Sequence, residues 1–167
     1  MKNFSKGLII IAVISAVLFS SCKKPKEPDY LLGAWTYKNI QLVFTPANPV
    51  ISALIQFVNI DDYVQFPSPL TFNEDGTGSG VVNNFTTQFK YTKTDSQITL
   101  VDMASYIGGT GDLTIDYQLL DNNKTLQLTA DVTAMAIPLL QMIIDNSGFS
   151  VSIDGIERVD GVITYTK

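Results

Sequence analysis

The chain contains no histidine, and its one cysteine, Cys22, lies close to the start of its 167 residues. Without histidine, neither a Ser-His-Asp nor a Cys-His catalytic arrangement can be built. The usual zinc sites and most transition-metal sites are excluded with them. A single cysteine also leaves no partner for an intrachain disulfide. Positive charge is scarce from Asp29 onward, where six basic residues face fifteen acidic ones, a net charge of −9. Such a surface repels phosphate backbones, so nucleic acid is excluded as a partner. The charges are spread singly, which describes an ordinary solvated acidic surface. Long apolar runs are absent too. The longest, Gly7 to Phe19, covers 13 residues, and a membrane span needs roughly 20.

What that first segment does have is the layout of a secretory signal. Lys2 and Lys6 give a positive start, the apolar run follows, and Ser20-Ser21 places two small residues directly before Cys22. Residues 1–21 thus read as a signal peptide. Ending on cysteine, it resembles a bacterial lipobox, with Phe19 where that motif usually has leucine and Leu18 one place early. The resemblance implies cleavage before Cys22, lipidation of Cys22, and anchorage in the bacterial outer membrane through two or three acyl chains. At about 0.8 kcal/mol per buried methylene, such chains hold a protein firmly. Residues 22–30 read as a tether, because Lys23-Lys24-Pro25-Lys26-Glu27-Pro28 cannot build a core. Surface-exported lipoproteins tend to carry acidic residues after the cysteine. The basic run here points toward the periplasm-facing side.

From Leu31 the dominant period is two. Gly33, Trp35 and Tyr37 alternate with Ala34, Thr36 and Lys38. Phe85, Thr87, Phe89 and Tyr91 alternate with polar neighbours, as do Leu113, Ile115, Tyr117 and Leu119, and Leu126, Leu128, Ala130 and Val132. This marks antiparallel strands with one dry face. Turn residues fall between the runs: Asp75-Gly76, Thr94-Asp95-Ser96, Asp121-Asn122-Asn123 and a loose Gly108-Gly109/Gly111 loop. Asp154-Gly155 and Asp160-Gly161 are expected to break up the tail. Short strands spaced in this way predict an all-β, mainly antiparallel meander of about eight strands closing into a barrel or sandwich.

Two segments depart from the alternation. Asn48-Pro49 reads as a helix cap followed by proline at the first helical position, with Ile51, Leu54, Ile55 and Val58 on one stripe. Ala134 to Asn146 reads as a second helix, regular from Pro138 to Asp145 with Gly148 as its stop. It is apolar nearly all round, so it is expected to be covered on more than one side, across an open barrel end.

Candidate chemistry is thin. Asp61-Asp62 is the only adjacent aspartate pair, and consecutive carboxylates usually point apart. Glu74-Asp75 lacks the alternating oxygen ligands of a calcium loop. Gly76-Thr77-Gly78-Ser79-Gly80 belongs to a hairpin and opens no helix, so it is no phosphate cradle. No serine stands in a nucleophile elbow. The chain is expected to be no enzyme, to need no cofactor and to hold no metal.

At Gly33-Ala34-Trp35 the sequence carries the G-x-W signature of the lipocalin superfamily. Leu70-Thr71-Phe72-Asn73-Glu74-Asp75-Gly76-Thr77, Phe89-Lys90-Tyr91 and Ile98-Thr99-Leu100 follow in the order seen in lipocalin-like domains of bacterial lipoproteins. Residues 31–167 resemble that family, which implies an up-and-down barrel that binds or sequesters an apolar or amphipathic small molecule. Trp35, Tyr37, Phe72, Phe89, Tyr91 and Tyr117 are the candidate ligand-binding residues of the interior. Met135 and Met142 are the candidate contacts from a lid helix. In a small barrel these aromatics can instead fill the interior. The chain would then be a structural or protein-interaction module, an inhibitor or an assembly accessory.

Overall fold

The computed structural model describes residues 29–56, 60, 63–104, 110–147 and 151–167. The signal segment, Cys22 and the tether up to Pro28 lie outside the described residues, as do Val58, Asp61-Asp62, Gly108-Gly109 and Gly148. The strands are β1 (Gly33–Thr45), β2 (Leu70–Phe72), β3 (Thr77–Val82), β4 (Phe85–Lys93), β5 (Gln97–Leu100), β6 (Leu113–Leu120), β7 (Thr125–Asp131) and β8 (Arg158–Thr166). Helix α1 (Pro49–Gln56) follows β1, and α2 (Thr133–Ser147) joins β7 to β8. All pairings are antiparallel between sequence neighbours, and β1 pairs with β8, so the meander closes into an eight-stranded barrel.

Closure uses two strands that change partner partway. β1 pairs with β2 up to Trp35 and with β8 from Thr36 onward. β4 pairs with β3 up to Lys90 and with β5 from Tyr91. A register shift between Tyr37 and Asn39 leaves Lys38 unpaired as a β-bulge. An extra residue reverses which parity faces inward. Gly33, Trp35 and Tyr37 point in before the bulge, and Ile40, Leu42 and Phe44 after it. The simple alternation therefore ends at Lys38 although the strand runs to Thr45.

The turns follow from residue chemistry. Asp75 Oδ1 accepts from the Thr77 amide at 2.9 Å and from its hydroxyl at 2.6 Å, which closes the β2–β3 hairpin. Asn83 and Asn84 between β3 and β4, and Asp121-Asn122-Asn123 between β6 and β7, all have positive φ, which Asn and Asp tolerate best among residues with a side chain. Asn48 caps α1 as expected, its Oδ1 accepting from the Ile51 amide at 3.0 Å.

Two expectations about the last third need correcting. Asp160-Gly161 does not interrupt the tail, because β8 runs straight through it, pairing Gly161 with Leu42 on one side and Ala130 on the other. Gly161 serves close packing there: a Cβ would lie 3.3 Å from both methyls of Val132. Helix α2 also begins five residues before Pro138. Asp131 accepts from the Thr133 amide (3.0 Å) and hydroxyl (2.6 Å), and the same hydroxyl accepts from the Val159 amide at 2.8 Å. These bonds nucleate the helix ahead of the proline, which then forfeits one backbone bond in the second turn. The helix is buried on one stripe, Ala136, Leu140, Ile143 and Ile144, while Met142 is exposed. One-sided burial at i, i+4, i+7 and i+8 is ordinary amphipathic packing, despite the apolar sequence.

Candidate binding cavity in the barrel

The barrel interior has two unlike halves. The β2–β3, β4–β5 and β6–β7 turns lie at one end together with residues 29–32 and Lys167, and this half is packed solid. Trp35, Leu31, Ile98 and Leu126 have no exposure, and Phe72, Tyr91 and Tyr117 are buried around them. The Phe72 ring meets Phe89 and Tyr91 edge to face at centroid distances of 5.8 and 5.1 Å. Gly78 makes room for this cluster, since a Cβ there would lie 2.4 Å from the Phe89 ring and 2.6 Å from the Thr71 carbonyl.

Three ring donors of this half each find a backbone carbonyl. Trp35 Nε1 donates to Leu31 O at 2.7 Å, Tyr91 Oη to Asn73 O at 2.7 Å and Tyr117 Oη to Thr94 O at 3.0 Å. From below, Lys167 Nζ lies 4.2 Å from the centroid of the Trp35 ring and donates to Tyr30 O and Leu32 O, both at 2.7 Å. Partial burial lowers the Lys167 pKa from its ordinary value, against the opposing pull of Asp29. Asp29 also pairs with Lys93 at 2.8 Å. Asp29 and Tyr30, expected in the tether, are therefore tied to the base of the barrel.

The other half encloses a cavity of about 250 Å³. Aliphatic side chains dominate its wall: Ile40 from β1, Leu70 from β2, Leu100 from β5, Leu113 and Ile115 from β6, and Ile163 from β8. Residues 64–67 form one side of the mouth, where Pro67 packs over Gly80; a Cβ on Gly80 would stand 2.7 Å from the proline ring. Phe66 stacks on Tyr37 at 5.3 Å, and this segment also borders a shallow outer groove lined by Tyr37, Ser68 and Asn83. Val132 and Met135 border the cavity from the start of α2. The rest of the buried stripe of α2 packs elsewhere. Ala136 and Leu140 join Phe44, Ile51 and Val159 in a second core beneath the two helices.

Of the candidate ligand contacts, the structure places Phe89 and Met135 on the cavity wall. Trp35, Phe72, Tyr91 and Tyr117 belong to the packed half, Tyr37 lies between that half and the outer groove, and Met142 faces solvent. The aliphatic residues of β5–β8 and Tyr165 on β8 line the cavity without having been singled out. Their inward parity was the available signal, in β6 and β7 at least. Among the described residues no group of three carboxylates, cysteines or histidines comes together to hold a metal ion, and no helix is long and apolar enough to cross a membrane.

Comparison with protein-family models, with curated proteins and with solved structures finds no match for this chain.

Proposed function

We propose that this chain is a non-catalytic, lipocalin-like lipoprotein of the bacterial cell envelope that takes up a small apolar or amphipathic molecule inside the barrel. The observation that carries this reading is the 250 Å³ apolar cavity adjoining the packed aromatic half of the barrel. Well-packed cores leave few voids larger than a water molecule. An apolar cavity of about 150 Å³ already admits benzene, so this one suits a molecule of roughly ten non-hydrogen atoms. That lies at the small end of ligand sites.

The strand order supports a consistent geometry for the anchored protein. Asp29 sits at the solid end, seven residues after Cys22, a reach of at most about 25 Å. A lipid at Cys22 would hold the solid end toward the membrane and leave the cavity mouth facing the aqueous side. In the periplasm, this is the posture of a protein that collects its ligand from solution.

The interaction-module reading draws on a different observation. Phe85, the first residue of β4 at the mouth, is 79% exposed, and Val50 and Tyr63 are exposed on the β1–β2 connection at the same end. Native mass spectrometry of the protein purified from its own membranes tests the choice. The expected result is a bound small molecule, lost in Ala130→Leu, which adds three carbons inside the cavity while keeping the circular dichroism of the parent. Equal ligand content in both proteins, or none in either, would refute uptake into the barrel.

A further inference from the structure

Tyr165 is 1% exposed and borders the cavity at the boundary with the packed half. Its ring packs edge to face on Tyr37 at 5.9 Å. Its hydroxyl makes no hydrogen bond to any described residue, whereas Trp35, Tyr91 and Tyr117 each donate to a backbone carbonyl. Yet among the described residues no fully enclosed side-chain nitrogen or oxygen lacks a partner. A phenol oxygen that is unbonded but not fully enclosed, on a residue with almost no surface, fronts open space. The open space that Tyr165 borders is the cavity.

We propose that the Tyr165 hydroxyl is the deep polar anchor of the cavity, donating one hydrogen bond to an uncharged oxygen of a small, otherwise apolar ligand. This rests on the reading of the barrel as a binding protein, and adds to it the chemical class and orientation of the ligand. The remaining polar lining, Gln65 and Thr87, is exposed at the mouth. A ligand therefore meets aliphatic wall along its length and one donor at its inner end. Among the described residues no lysine or arginine lines the cavity, so an ionised carboxylate or phosphate carried to that depth would be unpaired in apolar surroundings. A ketone, aldehyde, ester or alcohol satisfies the donor at no such cost. Burial holds the phenol well above its usual pKa, so it remains a donor across the physiological range.

The test uses the full chain and two probes of equal non-hydrogen atom count, 2-octanone and propylbenzene, with octanoate as the charged comparison. Calorimetric titration of the parent is expected to favour 2-octanone over propylbenzene by about three- to tenfold, the range of one neutral hydrogen bond, and to bind octanoate more weakly than 2-octanone at pH 7. The carbonyl stretch of bound 2-octanone should shift to lower frequency. Tyr165→Phe removes only an unbonded oxygen and should fold. It should abolish both the preference and the frequency shift while holding propylbenzene affinity within about twofold. Thr87→Val, which deletes a hydroxyl at the mouth, should change neither. Preference and shift surviving in Tyr165→Phe would overturn the anchor while leaving uptake standing, and would mean that another donor, such as water, bonds the ligand carbonyl. Failure of both neutral probes to bind the parent would overturn uptake and the anchor together.

Discussion

Gly78→Ala is the sharpest test of how the packed half is built. Gly78 sits on the inner face of β3, opposite Phe72 on one side and Phe89 on the other. Its φ is not in the left-handed region, so alanine meets no backbone strain and the whole effect is steric. The new methyl would stand 2.4 Å from two carbons of the Phe89 ring and 2.6 Å from the Thr71 carbonyl oxygen. The ring can swing toward the adjoining cavity. The carbonyl belongs to the β2 backbone and cannot follow. Overpacking of this kind costs about 1–3 kcal/mol, and the fixed carbonyl puts this site near the upper end. Loss of glycine's unfolded-state freedom returns about 0.4–1 kcal/mol. The net expectation is about 2 kcal/mol, or roughly 6–10 °C in Tm for a domain of this size. Urea unfolding followed by Trp35 fluorescence should show a lower midpoint with an unchanged slope. Gly111→Ala is the contrasting control. Its φ of +78° strains alanine, but nothing lies within 4 Å, so its cost of about 1–2 kcal/mol is conformational only. A midpoint for Gly78→Ala equal to or above the parent's would refute the claim that this glycine exists to admit the Phe89 ring.

Trp35→Phe should cost about 2–3 kcal/mol, because it leaves the Leu31 carbonyl without its 2.7 Å donor and opens space in a site with no exposure. A loss under about 0.5 kcal/mol in urea unfolding, on the scale of a neutral surface change, would contradict the plugged-base description. Asp131→Ala should cost about 0.5–2 kcal/mol by removing the acceptor at the start of α2. The Asp131 carboxyl is held below its ordinary pKa, first by the Thr133 hydroxyl and then by the Thr133 amide. The unfolded chain therefore binds this proton at higher pH than the folded one. The stability contributed is fully present above the unfolded value of about 3.9 and is lost as pH falls through the lower folded value. The gap between parent and variant should be flat above about pH 5 and shrink below about pH 4. A gap that widened on acidification would reverse the sign of this argument.

The strands most legible in the sequence were those with unbroken alternation, β4, β6 and β7, and the turns rich in Asn, Asp and Gly between them. The Lys38 bulge concealed the outer half of β1 by reversing its parity, so Ile40, Leu42 and Phe44 did not continue the pattern begun at Gly33. Asp160-Gly161 concealed β8, because glycine chosen for close approach to Val132 is spelled like glycine chosen for a turn. Residues 64–67 carry no periodicity, and their place at the mouth depends on the long-range meeting of Pro67 with Gly80.

By itself the sequence determined the class of architecture, since a period of two with turn residues between the runs admits little but an antiparallel meander with one dry face. It also excluded Ser-His-Asp and Cys-His catalytic arrangements, because the chain has no histidine. Height along the barrel axis was decided only by tertiary structure. Inward-pointing aromatics and inward-pointing aliphatics look alike in the alternation, but strand register gathers the first around Trp35 as solid packing and spreads the second around empty space. Tyr91, Tyr117 and Tyr165 differ in the same way. All three point inward, yet only closure of β8 on β1 places the last beside the cavity, without a hydrogen bond to any described residue.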